Sequence, residues 1–139
     1  MNYLLDTCVI SELTRPKPSA KVVAWLKDQP EEILFLSAIT IGEIQKGISL
    51  LPDSPKKASL QSWLDHELYQ RFKQRILGVD FEVAQKWGDI QAAAERTGNK
   101  MPAIDSLVAA IAMVHGMTVV TRNVRDMAAS GAALLNPWD

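Results

Sequence analysis

Residues 102–126 read "PAIDSLVAAIAMVHGMTVVTRNVRD". Pro102 suits the first turn of a helix, and from there to His115 the side chains are apolar on nearly every side, as in a helix packed inside a structure rather than laid on its surface. Gly116 closes the helix, and Thr118–Thr121 follows as a short strand. A single residue breaks the pattern. Asp105 lies near the start of the helix, where the helix dipole favours a carboxylate by about 0.3–1 kcal/mol but desolvation of an unpaired one costs several, so a buried Asp105 calls for a cation or a metal. The strand then ends on Thr121 and delivers Arg122, Asn123, Arg125 and Asp126 into one loop or helix start. Asn123 and Asp126 are also suited to capping the helix that follows.

The same alternation extends outward on both sides. Asn2–Leu5 reads as a strand and Val9–Leu13 as one or two helical turns ending before Pro16 and Pro18. Ser19 caps a helix with Val22, Val23, Trp25 and Leu26 on its apolar side, broken around Pro30. Ile33–Leu36 is the second strand, and Ser37 caps a helix reaching about Leu50. Lys56–Gln74 reads as one long amphipathic helix, Arg75–Val79 as a third strand, and Phe81–Arg96 as a helix capped by Asp80. Leu134 and Leu135 make a short fifth strand. Short apolar strands alternating with helices imply βαβ crossovers, hence a three-layer α/β/α domain with a mostly parallel sheet of about five strands, residues 1–139 forming one unit.

Composition agrees with an ordinary globular protein: 139 residues, 47% hydrophobic, 22% charged. The one cysteine, Cys8, has no partner for an internal disulfide and reads as a thiol of the core in a reducing compartment. The longest apolar run, Leu107–Val114, is too short to span a bilayer, which points to a cytoplasmic protein. A net charge of −1 leaves no global basic footprint, so any nucleic acid must meet local positive charge, a metal or a second chain.

In parallel sheets ligands bind at the carboxyl ends of the strands. There Asp6 directly follows the first strand, where it serves equally as a turn or cap residue. Glu43 lies one turn into the helix after the second strand. Lys46 is its i+3 neighbour, and Gly42 and Gly47 flank it as if something must approach the backbone closely. With Asp105 and the Asn123–Asp126 segment, three or four carboxylates share one edge and need a compensating cation. Oxygen-only ligands select Mg²⁺ or Mn²⁺ over Zn²⁺. Such a site suits phosphodiester hydrolysis. Arg122 and Arg125 stand ready to hold phosphate, and Thr7, Ser37 and Thr121 bring hydroxyls to the same edge. His66 and His115 have no evident route to a common site, which disfavours a metal-free ribonuclease.

The motifs "YLLDTCVISEL", "LSAITIGEIQKGI", "MPAIDSLVAAIA" and "VVTRNVRDM", in that order, resemble the PIN-domain nucleases, in particular the VapC-type toxins of bacterial toxin–antitoxin pairs. The resemblance implies a parallel five-stranded sheet flanked by helices and a metal-dependent ribonuclease. It also implies a homodimer, or a dimer of toxin–antitoxin heterodimers, with a small, DNA-binding antitoxin that wraps the toxin and blocks its site. Carried over residue by residue, Asp6, Glu43 and Asp105 are the acidic set. Asp6 and Asp105 hold the metal, and the fourth position is Asn123 or Asp126. Met127 stands where an aromatic is common.

Other classes fit less well. A haloacid-dehalogenase-like phosphatase needs an aspartate where Cys8 stands, and a receiver domain needs a lysine that Thr121 and Arg122 do not supply. A PIN-like binding module, acting through a DNA-binding partner with its acids idle, remains the alternative. Lys46, Lys100, Arg122 and Arg125 are expected to line an RNA groove built by two subunits. The apolar helix–loop–helix from Ile41 to Leu64 is the expected antitoxin surface. Trp25, Trp63 and Trp87 are expected in the core or on a dimer surface.

Overall fold

The computed structural model describes residues 1–139. Five strands, β1 (Tyr3–Leu5), β2 (Leu34–Ser37), β3 (Ile76–Leu77), β4 (Thr118–Val120) and β5 (Leu134–Leu135), pair in the order β3-β2-β1-β4-β5, every pair parallel. The crossovers are α1 (Thr7–Leu13), α2 (Ala20–Lys27), α3 (Ala38–Ser49), α4 (Pro55–Ser62), α5 (Tyr69–Phe72), α6 (Phe81–Arg96), α7 (Ala103–Val114) and α8 (Val124–Met127). The three-layer α/β/α architecture is the one expected. No helix is long and apolar enough to cross a membrane.

Two-residue periodicity in the strands divides the core into two halves. Leu4 and Val119 join Val83, Ile90, Val108 and Ile111 on the α6–α7 face. Leu5, Leu34, Leu36 and Val120 join Val9, Ile10, Val22, Ile44, Leu64 and Phe72 on the opposite face. Helix α7 is as buried as its sequence demands, with Ser106 and Val108–Ala112 all enclosed. Ser106 Oγ accepts from Trp87 Nε1 at 2.9 Å and Gln91 Nε2 at 2.6 Å, tying α6 to the first turn of α7, which carries Asp105. Trp25, Trp63 and Trp87 are half-buried against the core, and Trp25 meets Tyr3 edge to face. Gly116 ends α7 with φ 66°, a conformation other residues adopt only with strain.

The segment expected as one long helix is interrupted. Between α4 and α5, Trp63–Leu68 widens into a π-helical turn, and the helix stops at Phe72. Leu64 and Leu68, four residues apart on the inner face of this turn, both reach the core. β3 is only Ile76–Leu77, shorter than Arg75–Val79, because Val79 and Asp80 already turn outward toward α6, whose first turn Asp80 caps through Val83 N at 2.9 Å.

Arg75 ties this corner together. Its guanidinium donates to the carbonyls of Glu31, Leu34 and Arg71 and to the Glu31 carboxylate, and lies over the Phe72 ring. Arg71 closes on Glu31 through two bonds of 2.8 and 3.0 Å. The Arg71 hydrogen bond first, and that of Arg75 next, hold the Glu31 carboxyl below its usual range. Because the unfolded chain then binds the proton more readily, Glu31 contributes stability above the ordinary glutamate pKa, about 4.3, and loses it as pH falls through the lower folded value. Glu31 is 46% exposed, so solvent limits that contribution to under about 1 kcal/mol. Thermal denaturation across this acid range should show Glu31→Gln losing less stability than the parent chain on acidification. Arg75→Ala, which also strips three carbonyls of a charged donor, should cost about 2 kcal/mol at neutral pH.

Candidate active site

The carboxyl ends of β1, β2 and β4 meet at one edge. Asp6 immediately follows β1, its backbone N–H donating to Val120 O at 2.9 Å, so its position is set by the parallel β1–β4 pairing. It is 4% exposed. Oδ1 accepts from Thr7 N at 2.9 Å and Oδ2 from Thr121 Oγ1 at 2.8 Å. Asp6 is therefore both the helix cap and the buried carboxylate of this edge. Burial pushes its carboxyl up from the usual range, the bonds from Thr121 and Thr7 oppose the shift, and the Glu43 charge adds to it.

Glu43 reaches the edge from α3, where Oε1 accepts from Thr7 Oγ1 at 2.5 Å. Thr7 has one hydroxyl proton, so with that proton on Glu43 its 3.1 Å contact with Thr40 Oγ1 is one in which Thr40 donates. Ser37 Oγ in turn donates to Thr40 Oγ1 at 3.3 Å while accepting from Thr40 N. Ser37 and Thr40 are fully buried, so Ser37 is linked to the edge only through this chain of hydroxyls. Thr40 escaped notice in the sequence, where Ser37-Ala38-Ile39-Thr40 lacks the Glu or Gln that completes a capping box.

Asp105 projects from the first turn of α7, half-buried. It makes no hydrogen bond and no ion pair, and its carboxyl is pushed up by burial and then by the charges of Asp6, Asp126 and Glu43. Asp6, Asp126 and Glu43 therefore all lie within electrostatic reach of Asp105. Asp126 lies inside α8 and is exposed. Asn123 precedes α8 without capping it through its side chain, and its N–H donates to Thr121 Oγ1 at 2.9 Å. No three of these groups converge into a preformed metal cage.

Other expectations resolve individually. A Cβ on Gly42 or Gly47 would meet nothing within 4 Å, so no part of this chain is what approaches the backbone there. Lys46, Lys100 and Arg125 are exposed, as are His66 and His115. Cys8 is half-buried, its thiol pushed up chiefly by burial. Glu12 is the residue that sequence reasoning missed. It is 5% exposed and accepts from Arg15, Arg122 and Ser19 N. Its signal was available, since it falls three residues after Val9 on the buried stripe of α1, where a carboxylate needs a partner.

Comparison with known proteins points the same way. Toxin FitB of Neisseria gonorrhoeae is 41% identical over 135 residues, covering 97% of each chain. The VapC ribonuclease Y4jK of Sinorhizobium fredii is 35% identical over 136 residues, covering 98% of this chain and 97% of that one. The solved structure of FitAB bound to an IR36 DNA fragment superposes with a TM-score of 0.94 at 40% identity, covering 99% of this chain and 96% of that one. With the sequence profile of the PIN domain matching residues 3–129 and these acids gathered on a five-stranded parallel sheet, the chain belongs to the PIN domain family.

Proposed function

We propose that this protein is a metal-dependent endoribonuclease and the toxin of a type II toxin–antitoxin pair. The observation that carries the reading is Asp105, a carboxylate facing three others with no cation from the protein to offset them. Such an arrangement disfavours the folded chain unless something positive enters. The donors fit a hard divalent ion: carboxylate and amide oxygen, with no histidine or thiolate placed to ligate.

Asp6 and Asp105 would hold the ion. With only two carboxylates assigned and no closed cage, water would complete its shell, as suits Mg²⁺, which dehydrates reluctantly. When bound, Mg²⁺ or Mn²⁺ supplies Lewis acidity that makes water a better nucleophile and offsets charge gathering on the phosphate. The chain's own groups do the positioning. Thr121 and Thr7 N fix the two oxygens of Asp6, each of which retains lone-pair capacity. Glu43, turned by Thr7, and Asp126 orient further waters or a second ion. Asn123 brings an oxygen without charge, which favours one ion over two. Arg122, Arg125 and Lys46 are the cations nearest in sequence for RNA phosphate.

The toxin assignment draws on the names of FitB and Y4jK. A partner surface is also available. Ile44, Ile48, Leu51, Leu60 and Trp63 line a groove between α1, α3 and α4 that includes Thr7 and Glu43. An amphipathic antitoxin helix laid there would cover the site's edge. The alternative, a PIN-like module whose acids are idle and which works through a DNA-binding partner, is favoured by the absence of a closed cage.

Cleavage of total RNA by the chain freed from its co-purified partner separates the two. Activity with Mg²⁺ or Mn²⁺ that disappears on chelation is expected, and none under either condition would leave the binding module. Asp105→Asn should lower cleavage by at least about a hundredfold. Because the folded-state pKa of Asp105 is raised, its ionisation weakens the fold as pH rises through that range. The same variant should therefore hold or raise the melting temperature at neutral pH. A third measurement follows: Mg²⁺ should raise the melting temperature of the parent chain and leave that of Asp6→Asn/Asp105→Asn unmoved.

A further inference from the structure

Arginines serve two different purposes in this fold. Arg71 and Arg75 are engaged on nearly every side, with paired bonds to Glu31 and three backbone carbonyls. Arg15 and Arg122 are not. Both reach the same atom, Oε1 of Glu12, each through a single nitrogen at 3.4 Å. Glu12's side chain is 6% exposed, while those of Arg15 and Arg122 are 62% and 50% exposed. A carboxylate below the surface thus seats two guanidinium groups above it. Ser19 N donates to the other oxygen at 2.8 Å, the largest influence keeping the Glu12 carboxyl below its usual range. One negative charge faces two positive ones, and the remaining guanidinium donors have no acceptor in the protein.

Trp138, one residue from the C-terminus, lies with its ring centroid 4.2 Å from the Arg122 guanidinium carbon. Stacking occupies a face of the guanidinium and leaves its in-plane N–H groups available. The location is specific. Arg122 follows Thr121, which grips Asp6, and its backbone N–H donates to Cys8 Sγ at 3.4 Å. Arg15 opens the stretch 15–27, which holds Arg15, Lys17, Lys21 and Lys27, all exposed, and no acid, in a chain of net charge −1.

We propose that Arg15 and Arg122, seated on Glu12 and braced by Trp138, form a guanidinium fork that binds an RNA backbone phosphate beside the one being cut and leads the strand onto the α1–α2 loop. The inference rests on the ribonuclease reading and extends it to a substrate path. Arg71 closes on Glu31 in paired geometry, and neither Arg15 nor Arg122 does so on Glu12. The fork instead leaves most N–H donors of two exposed, neighbouring guanidinium groups without a protein acceptor, and phosphate oxygens can accept from both.

The test measures binding of a short fluorescein-labelled single-stranded RNA to the full chain by anisotropy, in chelator so that no cleavage occurs, across a series of KCl concentrations. The variant is Glu12→Gln/Arg15→Gln/Arg122→Gln, which leaves no buried charge stranded. Affinity should fall at least about fivefold at low salt, and the log–log salt dependence should become shallower by about 0.7, the value for the one phosphate charge no longer neutralised. With Mg²⁺ restored, KM should rise while kcat stays within about twofold. Unchanged affinity and slope, or an abolished kcat with KM unmoved, would overturn the fork. Should the triple variant not fold, Arg15→Gln alone should still flatten the slope by about 0.7, and no change would overturn the proposal. Cleavage persisting in chelator would count against the metal reading and not against the fork.

Discussion

Like charges gathered at one sheet edge are the constraint on which the rest of the structure depends. Asp6 is fixed there by β1–β4 pairing and by Thr121, Glu43 by Thr7, and Asp105 by a helix so apolar that it has no other place to go. Each arrangement is locally stable for a different reason, yet together they leave Asp105 with three repelling neighbours. The burial of two complete core faces supplies the stability that holds this edge together.

Most of the architecture was legible in the sequence because its determinants are local. The all-apolar 102–115 helix, the short strands and the caps at Ser19, Ser37 and Asp80 each declare an element in a few residues. The π-helical turn at Trp63–Leu68 was not legible, since Leu64 and Leu68 keep the i, i+4 spacing of an ordinary helix through it. The shortness of β3 has a similar origin, in the exit toward α6.

Within the site, Asp6, Glu43 and Asp105 were visible from their positions at strand ends and first turns, and the structure adds what orients them. The Ser37–Thr40–Thr7 hydroxyl chain joins two helices far apart in sequence, with Thr7 and Glu43 36 residues apart. Glu12 had a readable signal on the stripe of α1, but its partners lie as far away as Arg122, 110 residues on. Trp138 had none, because a C-terminal tryptophan reveals its neighbour only when the chain is folded. The contrast between fully engaged and sparsely engaged arginines likewise exists only in three dimensions.

The central claim is that the charge deficit at this edge is filled by a divalent cation. Anomalous diffraction from crystals equilibrated with Mn²⁺ tests it most directly. An anomalous peak bridging Asp6 and Asp105, absent from Asp105→Asn crystals grown in the same way, is the predicted result. An edge without that peak at saturating Mn²⁺, or a peak that persists without Asp105, would contradict it.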